Sequence, residues 1–589
     1  MSSSSPLSML CAPGRFFARR RSLLVRSALS LFLLAVFARP ALSLTPAEIE
    51  AGARASRQIQ NEQQERLQQQ LREDALRRGQ TPQQEVPEAA APSLPKSTVC
   101  RDIKEIVLTG VTLLPESLKR GLTAPYLNRC LYAEDIEKLL ADILKAYMDR
   151  GYVAARPYVQ AQDLSKGRLE ILIVEGKVEG LLLKDGDRGS ANLTTAFPFV
   201  SGRPLNLRDI EQGLDQINRL SSNSATMEVS PGSEAGLSVV SIVNEPSFPV
   251  SVAGTLDNLG GLSTGRHQAA YTVSVDNPLR LNDFITYTHR NTVLESTRLR
   301  EAVSDSFFYS LPFGYWTMQL SYSMSEYHSP VVTSANTLVA RGTSETFRGE
   351  LNYVAYRDQD QKLTALIALN NKATRNYLAD EFLSVSSRNL AVADADLSWQ
   401  RRFSWFSGNL DLGFSQGLRQ LDAKADPDGT GVTAPHAQGA KIRYSGGAFV
   451  PFTVLGKDLT FSTQATGQYA LEPLYGSEQI TIGSFYTVRG FNRNSLSGDR
   501  GWYVRNELST SLPQLPYTDV TPRPFIGFDA GRIEGFKTTR NANLTGVAGG
   551  VRLAGKHFTG ELSAAKALST PIVIPHEPVQ FSATMTVSF

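Results

Sequence analysis

From Pro249 to the final Phe589 the chain alternates apolar and small polar residues, and this pattern limits the fold more than any other feature. Trp316, Met318, Leu320, Tyr322 and Met324 alternate with Thr317, Gln319, Ser321, Ser323 and Ser325. Phe581, Ala583, Met585, Val587 and Phe589 alternate with Ser582, Thr584, Thr586 and Ser588. Leu410, Leu412 and Phe414 keep the same period of two, as do Trp502, Val504 and Leu508. Successive side chains of a strand point to opposite faces, so each stretch has one apolar and one small polar face. A soluble sandwich could use such strands, but it needs a second apolar surface to cover the first. The stretch offers none, and no helical pattern interrupts it. It therefore predicts a transmembrane β-barrel with aromatic residues in lipid and a polar, wet lumen. At about 10 residues per strand, or about 20 with turns, it accommodates about 16 antiparallel strands.

The rest of the chain is consistent with export. The longest apolar run, Ala28 to Ala38, is about half of the ~20 residues that cross a bilayer as a helix. Arg19, Arg20, Arg21 and Arg26 precede it, and Ala41-Leu42-Ser43 supplies small residues for cleavage. Residues 1–43 thus read as a signal peptide, with an uncleaved anchor as the alternative. Of three cysteines, Cys11 falls in this leader. The remaining pair, Cys100 and Cys130, reads as a structural disulfide in an oxidising compartment, with free thiols as the alternative. Two thiols with no nearby histidine are too few for zinc, so no metal site is expected. A net charge of +3 with mixed signs points to no nucleic-acid partner.

Residues 44–80 are rich in Gln, Glu, Arg and Ala, and Pro46 and Gly79 suit the start and stop of a helix. Its apolar residues are sparse, so it is either bathed in solvent or seated in a water-filled cavity. Residues 81–97, with Pro82, Pro87, Pro92 and Pro95, read as an extended linker. Two αβ modules follow, at 98–175 and 176–247. In the first, Ile103, Ile106 and Leu108 are assigned to one strand ending at Gly110. Ile136, Leu139, Leu140, Ile143, Leu144 and Tyr147 then mark a helix, and a hairpin turns near Gly167. The second repeats this order. Leu181 to Leu183 lie in a strand, and Leu207, Ile210, Leu214 and Ile217 mark a helix capped by Asn206, with Asp209 in an approximate capping-box position. A hairpin through Pro231-Gly232 closes it. Two such units in tandem are repeats of one kind of domain.

Two segments in the barrel region narrow the class. Thr487-Val488-Arg489-Gly490-Phe491, followed by Leu496-Ser497-Gly498-Asp499 and Arg505-Asn506-Glu507-Leu508, resembles the lid-loop signature of the two-partner secretion transporters. These form the TpsB family, the ShlB/FhaC/HecB-like haemolysin activation/secretion proteins. Phe525-Ile526-Gly527-Phe528-Asp529-Ala530-Gly531 resembles the matching barrel-wall motif. Cys100, Gly151-Tyr152, Gly167-Arg168-Leu169 and Glu175-Gly176 match the first POTRA (polypeptide-transport-associated) domain. Asp257-Asn258 to Gly265 resembles the first barrel strand and turn, and Phe589 is the usual last residue of such barrels.

The resemblance implies an outer-membrane pore, with periplasmic POTRA domains, that secretes a large unfolded exoprotein from a Gram-negative cell. That partner would be an adhesin, a cytolysin or a haem-binding protein. Outer-membrane lipids and the barrel-assembly machinery would be its other partners, with no cofactor. It also pairs Asp529 with Arg489 in a lid loop around 485–500, and places the 44–80 helix as a plug in the barrel. Bracing of the barrel remains open for the first, and a periplasmic arm for the second. An insertase or uptake channel of the same superfamily is the alternative function. An enzyme is not expected: the six histidines, at 267, 289, 328, 436, 557 and 576, are scattered, and no G-x-S-x-G elbow is present.

Overall fold

The computed structural model describes residues 45–56, 59, 99–186, 189–332, 336–491, 494–536, 541–571 and 575–589. The expected signal peptide and linker lie outside the described residues, as does most of the expected N-terminal helix. The chain divides into two units, Met1–Glu50 and Ala51–Phe589. In the first, Thr45 caps a helix that opens at Pro46. Its hydroxyl accepts from the Glu48 amide at 3.3 Å, and the Glu48 carboxylate accepts from the Thr45 amide at 2.8 Å. This reciprocal cap satisfies two donors that a helix start leaves unpaired.

The second unit is built around a closed antiparallel barrel of 16 wall strands, from Val250–Asp257 to Gln580–Ser588. The first and last strands pair with each other, from Asp257↔Thr584 to Ala253↔Ser588. The two-residue strand Glu381–Phe382 only extends the hairpin of Gln361–Leu378. Alternation sorts the side chains as the pattern requires. Trp316 and Tyr322 lie exposed on the outside, whereas Ser325, Tyr327 and Ser329 are buried on the lumen side. Rows of exposed aromatics would be anomalous in water and are ordinary in lipid. Strands Trp316–Val332 and Thr337–Arg357 are much longer than the ~10 residues that span a bilayer, so they project beyond it.

Both αβ modules precede the barrel. In the first, Glu105–Thr109 runs parallel to Arg168–Val174, which pairs antiparallel with Arg156–Tyr158. The helix Ala133–Met148 lays Leu139, Ile143 and Tyr147 on Leu169, Ile171 and Ile173. Ile103 does not share a strand with Ile106 and Leu108. The amides of Lys104 and Glu105 both donate to the Gly167 carbonyl, at 2.7 and 3.1 Å, and break the strand there. Ile103 belongs instead to Arg101–Ile103, paired with Arg129–Leu131. A further helix, Glu116–Thr123, escaped the sequence reading.

In the second module Lys177–Lys184 runs parallel to Leu237–Asn244, which pairs antiparallel with Ala225–Pro231. The helix Leu207–Asn218 buries Leu207, Ile210, Leu214 and Ile217 against Val240 and Ile242. Asn206 caps it, its side chain accepting from the Arg208 amide at 2.9 Å. Asp209 does not complete a capping box, because it accepts from the Tyr315 hydroxyl at 2.6 Å. Tyr315 lies in a barrel turn, and the rest of the helix's polar face docks there too. Gln212 and Gln216 donate to the Gly314 carbonyl at 3.2 and 2.8 Å, and Arg357 pairs with Asp215 and with Glu211. The second module thus stands at the end of the barrel that carries the Gly314 turn.

Candidate functional site: an inward loop pinned to the barrel wall

Between wall strands Lys457–Ala470 and Arg500–Thr510 the chain turns into the lumen. Ile480–Ile482 pairs with Leu496–Gly498 to make a hairpin, joined by the Thr481 and Ser497 hydroxyls at 2.8 Å. The inward segment therefore covers 471–491 and 494–499 and begins well before the expected region around 485–500. At its tip the Gly483 amide donates to the Thr487 hydroxyl at 2.9 Å, closing a tight turn. Val488 and Phe491, almost wholly buried, pack against Ile482, Ile533 and Leu544. Apolar burial therefore seats the tip, and polar groups fix its orientation.

Arg489 is 2% exposed and Asp529 is 0% exposed. The guanidinium donates to Asp529 twice, from Nε to Oδ2 at 2.7 Å and from Nη2 to Oδ1 at 2.8 Å. The Arg489 backbone amide adds a third bond to Oδ2 at 3.0 Å. A planar fork on a carboxylate, with a main-chain donor besides, specifies both position and direction. Nη1 donates to Glu507 at 3.2 Å. Glu507 also receives Arg552 Nη2 at 2.9 Å, and Arg552 Nε reaches Glu561 at 2.8 Å. Charge alternates from Asp529 through Arg489, Glu507 and Arg552 to Glu561, over four wall strands. The Arg552 guanidinium stands 4.3 Å from the Phe525 ring centroid, where the ring face favours a cation.

Two glycines make this approach feasible. Gly490 has φ +96°, and a Cβ there would lie 2.4 Å from the Ala567 amide nitrogen. A Cβ on Gly527 would lie 2.2 Å from Arg489 Nη2. Larger residues would strain the first and displace the guanidinium at the second. Gly531 stands beside Val488, and Phe525 is buried near the pair. Phe528 is separate from them: alternation turns it outward, half-exposed, to the lipid face. Glu507 and Arg552 escaped the sequence reading as site residues. Strand parity could have found Glu507, since Trp502, Val504 and Leu508 outside place Arg505 and Glu507 inside.

The other singled-out residues lie elsewhere. Cys100 and Cys130 are joined as a disulfide in the first module, Cα to Cα 5.3 Å. Phe589 pairs its backbone with Val252, at 2.9 and 3.0 Å, and exposes its ring outside the seam. Within the second unit, residues 51–56 are helical and Ala53, Ser56 and Ile59 are buried. The Tyr327 hydroxyl is 2.5 Å from the Ser56 hydroxyl and 3.0 Å from Asn376 Oδ1, and Gly52 packs beside Leu378 and Leu383. Tyr327 faces the lumen, so this piece of helix is inside the barrel. The small residues Gly52, Ala53 and Ser56, with Ile59 one turn further, were the available signal for a packed face.

A closed lipid-facing barrel, an inward loop pinned by a buried ion pair and two αβ modules at one end define an outer-membrane pore for polypeptides. Residues 236–553 match the family described as haemolysin secretion/activation protein ShlB/FhaC/HecB, residues 102–176 the ShlB-type POTRA domain and residues 177–231 a POTRA domain. The outer membrane transporter CdiB of Dickeya dadantii (strain 3937) is 33% identical over 83% of this chain and 87% of that protein. The hemolysin transporter protein ShlB of Serratia marcescens is 32% identical over 85% of this chain and 88% of its own. The solved CdiB from Escherichia coli superposes with a TM-score of 0.82 at 31% identity, covering 93% of this chain and 99% of that one. The chain belongs to the ShlB/FhaC/HecB family and is an outer-membrane transporter of two-partner secretion, with its POTRA domains in the periplasm.

Proposed function

We propose that the inward loop is a lid, held by Arg489 and Asp529 in the position from which secretion starts, and that the helix in residues 44–80 plugs the resting pore. The single observation that carries the lid reading is the three-bond grip of Asp529 on Arg489 at a buried site. Such a pair contributes little net stability but defines one geometry, and losing one partner costs about 3 to 5 kcal/mol. Bracing and gating are then one device.

The client is a large secreted protein, a cytolysin, an adhesin or a haem-binding protein. Relatives named as hemolysin and heme/hemopexin transporters favour the first and third. It enters unfolded, adding a strand to a sheet edge of the POTRA domains, such as Arg156–Tyr158 or Ala225–Pro231. Folding outside gives transport its direction, and no catalysis is involved.

Arg489→Ala tests the lid. The variant barrel is expected to insert at the wild-type level and to lose at least about tenfold of partner secretion into the medium, the loss that about 1.4 kcal/mol on a limiting step would produce. Normal secretion from an inserted variant refutes the lid. Deleting residues 45–78 is expected to raise ion conductance across planar bilayers, and unchanged conductance refutes the plug.

A further inference from the structure

The lid is fastened at a second place. Its root carries Glu478, in the short turn Gly476–Glu478 that follows the wall strand Lys457–Ala470. Glu478 is 8% exposed, and its two carboxylate oxygens go to different lysines. Lys372 Nζ donates to Oε1 at 2.7 Å and Lys441 Nζ to Oε2 at 3.0 Å. Lys441 also donates to the Glu478 carbonyl at 2.8 Å, and Gln468 Nε2 donates to the same carbonyl at 2.9 Å. Lys372 and Lys441 lie on Gln361–Leu378 and Ala440–Val454, with two wall strands, Arg388–Arg402 and Ser407–Leu418, between them.

The far end of the lid is closed to match. Asp499 accepts from the Leu474 amide at 2.8 Å, from Gln479 Nε2 at 3.0 Å and from the Phe536 amide at 3.0 Å. The tip, by contrast, is held by Asp529 on Thr521–Glu534, beyond the lid's own exit strand. The hairpin is thus fastened at its root toward one side of the wall and at its tip toward the other.

We infer that Glu478 is a positioning residue for secretion: by bridging Lys372 and Lys441 it sets the angle at which the lid leaves the wall, and so brings Arg489 to Asp529. The root can do this because Glu478 stands just before the hairpin strand Ile480–Ile482, so its anchorage fixes where that hairpin starts. A carboxylate suits the place because each of its two oxygens accepts from one ammonium group, and its single negative charge leaves one net positive charge there instead of two. Without it the buried Lys441 and the partly buried Lys372 repel each other and the root is pushed off the wall. The inference rests on the lid reading above, and its test separates the two.

Glu478→Gln keeps the side-chain shape and removes the charge. Its barrel is expected to remain folded, shown by the wild-type shift between heated and unheated samples on gels, while partner secretion falls about tenfold. Lys372→Cys with Glu478→Cys provides the rescue. Both native mature cysteines are paired with each other, so a short bismaleimide added before the partner is expressed joins only the new thiols. The unlinked double variant is expected to secrete poorly and the linked one to regain at least half of wild-type secretion, because the root is refastened without its charge. Wild-type secretion by folded Glu478→Gln overturns the inference, and so does linking that restores nothing. If Arg489→Ala secretes normally, the lid reading itself fails. If Arg489→Ala is impaired while Glu478→Gln is not, only the role of the root fails.

Discussion

The two periplasmic modules share one plan and differ in what the back of the helix meets. In the first, Ala133–Met148 buries one face on the sheet and leaves Lys138, Ala141 and Lys145 exposed at helical spacing. In the second, no residue of Leu207–Asn218 is exposed. Its apolar face covers its own sheet, and Gln212 and Gln216 on the other are 3% and 4% exposed against the barrel turn at Gly314. The first module is therefore stabilised from within, by its core and its disulfide. The second shares its stability with the pore, so a force on it is transmitted to the barrel.

The largest effect should come from removing the disulfide. Cys100 and Cys130 close a loop with a sequence separation of 30, so Cys100→Ser with Cys130→Ser should destabilise the first module by about 3 to 4 kcal/mol in the chain-entropy model. Protease cleavage within 99–175 should then begin at markedly lower temperature, while the barrel keeps its heat-modifiable migration. A barrel that weakened equally would show that the first module is not self-contained.

The second module should respond to a change in the barrel. Arg357 lies at the barrel's periplasmic end and its side chain is 12% exposed, facing Asp215 and Glu211. Arg357→Met would remove the cation that Asp215 pairs with, while Glu211 keeps Arg208 at 2.7 Å. Asp215 is 28% exposed, so the loss should be about 2 kcal/mol, below the value for a fully buried pair. Hydrogen exchange should rise across Leu207–Asn218 and stay unchanged across Ala133–Met148. An equal rise in both helices, or in neither, would break the contrast.

What the sequence disclosed follows the same division. The barrel was legible because alternation is local, repeated along the wall and set by one boundary between lipid and water. The core faces of both helices were legible because the period of 3.6 is also local. The docking of the second was not, since Gln212, Asp215 and Gln216 are equally at home in water and their partners stand 98 to 142 residues away. Arg489 and Asp529 could be paired only by resemblance, whereas Glu507 stood in the lid-loop signature without a role and nothing in the alternation marked Arg552 as its partner. Asp209 shows the opposite error: a local capping rule was applied to a side chain that a distant tyrosine had claimed.

Acid should produce the smallest effect, and it too should separate the modules. Glu175, at the end of the first, takes the Thr112 and Leu113 amides at 2.8 and 2.9 Å, the Tyr147 hydroxyl at 2.6 Å and the Thr112 hydroxyl. Burial alone would raise its carboxyl, but these donors outweigh it and hold the group below its ordinary value of 4.5. Burial and the nearby Glu175 charge push the Tyr147 hydroxyl up, so it remains a donor throughout. A group more acidic in the folded state stabilises fully above its ordinary value, and that contribution disappears as pH falls through the depressed one. The first module of the wild-type protein should therefore lose stability as pH drops below about 4.5, read as protease sensitivity of 99–175 with an acid-stable protease. Glu175→Gln should be weaker at neutral pH, because the amide nitrogen opposes one set of donors, and should lack most of that acid limb. An acid limb of equal depth in the variant would assign the effect to other carboxylates and remove Glu175 as the tie between the Thr112 loop and the helix.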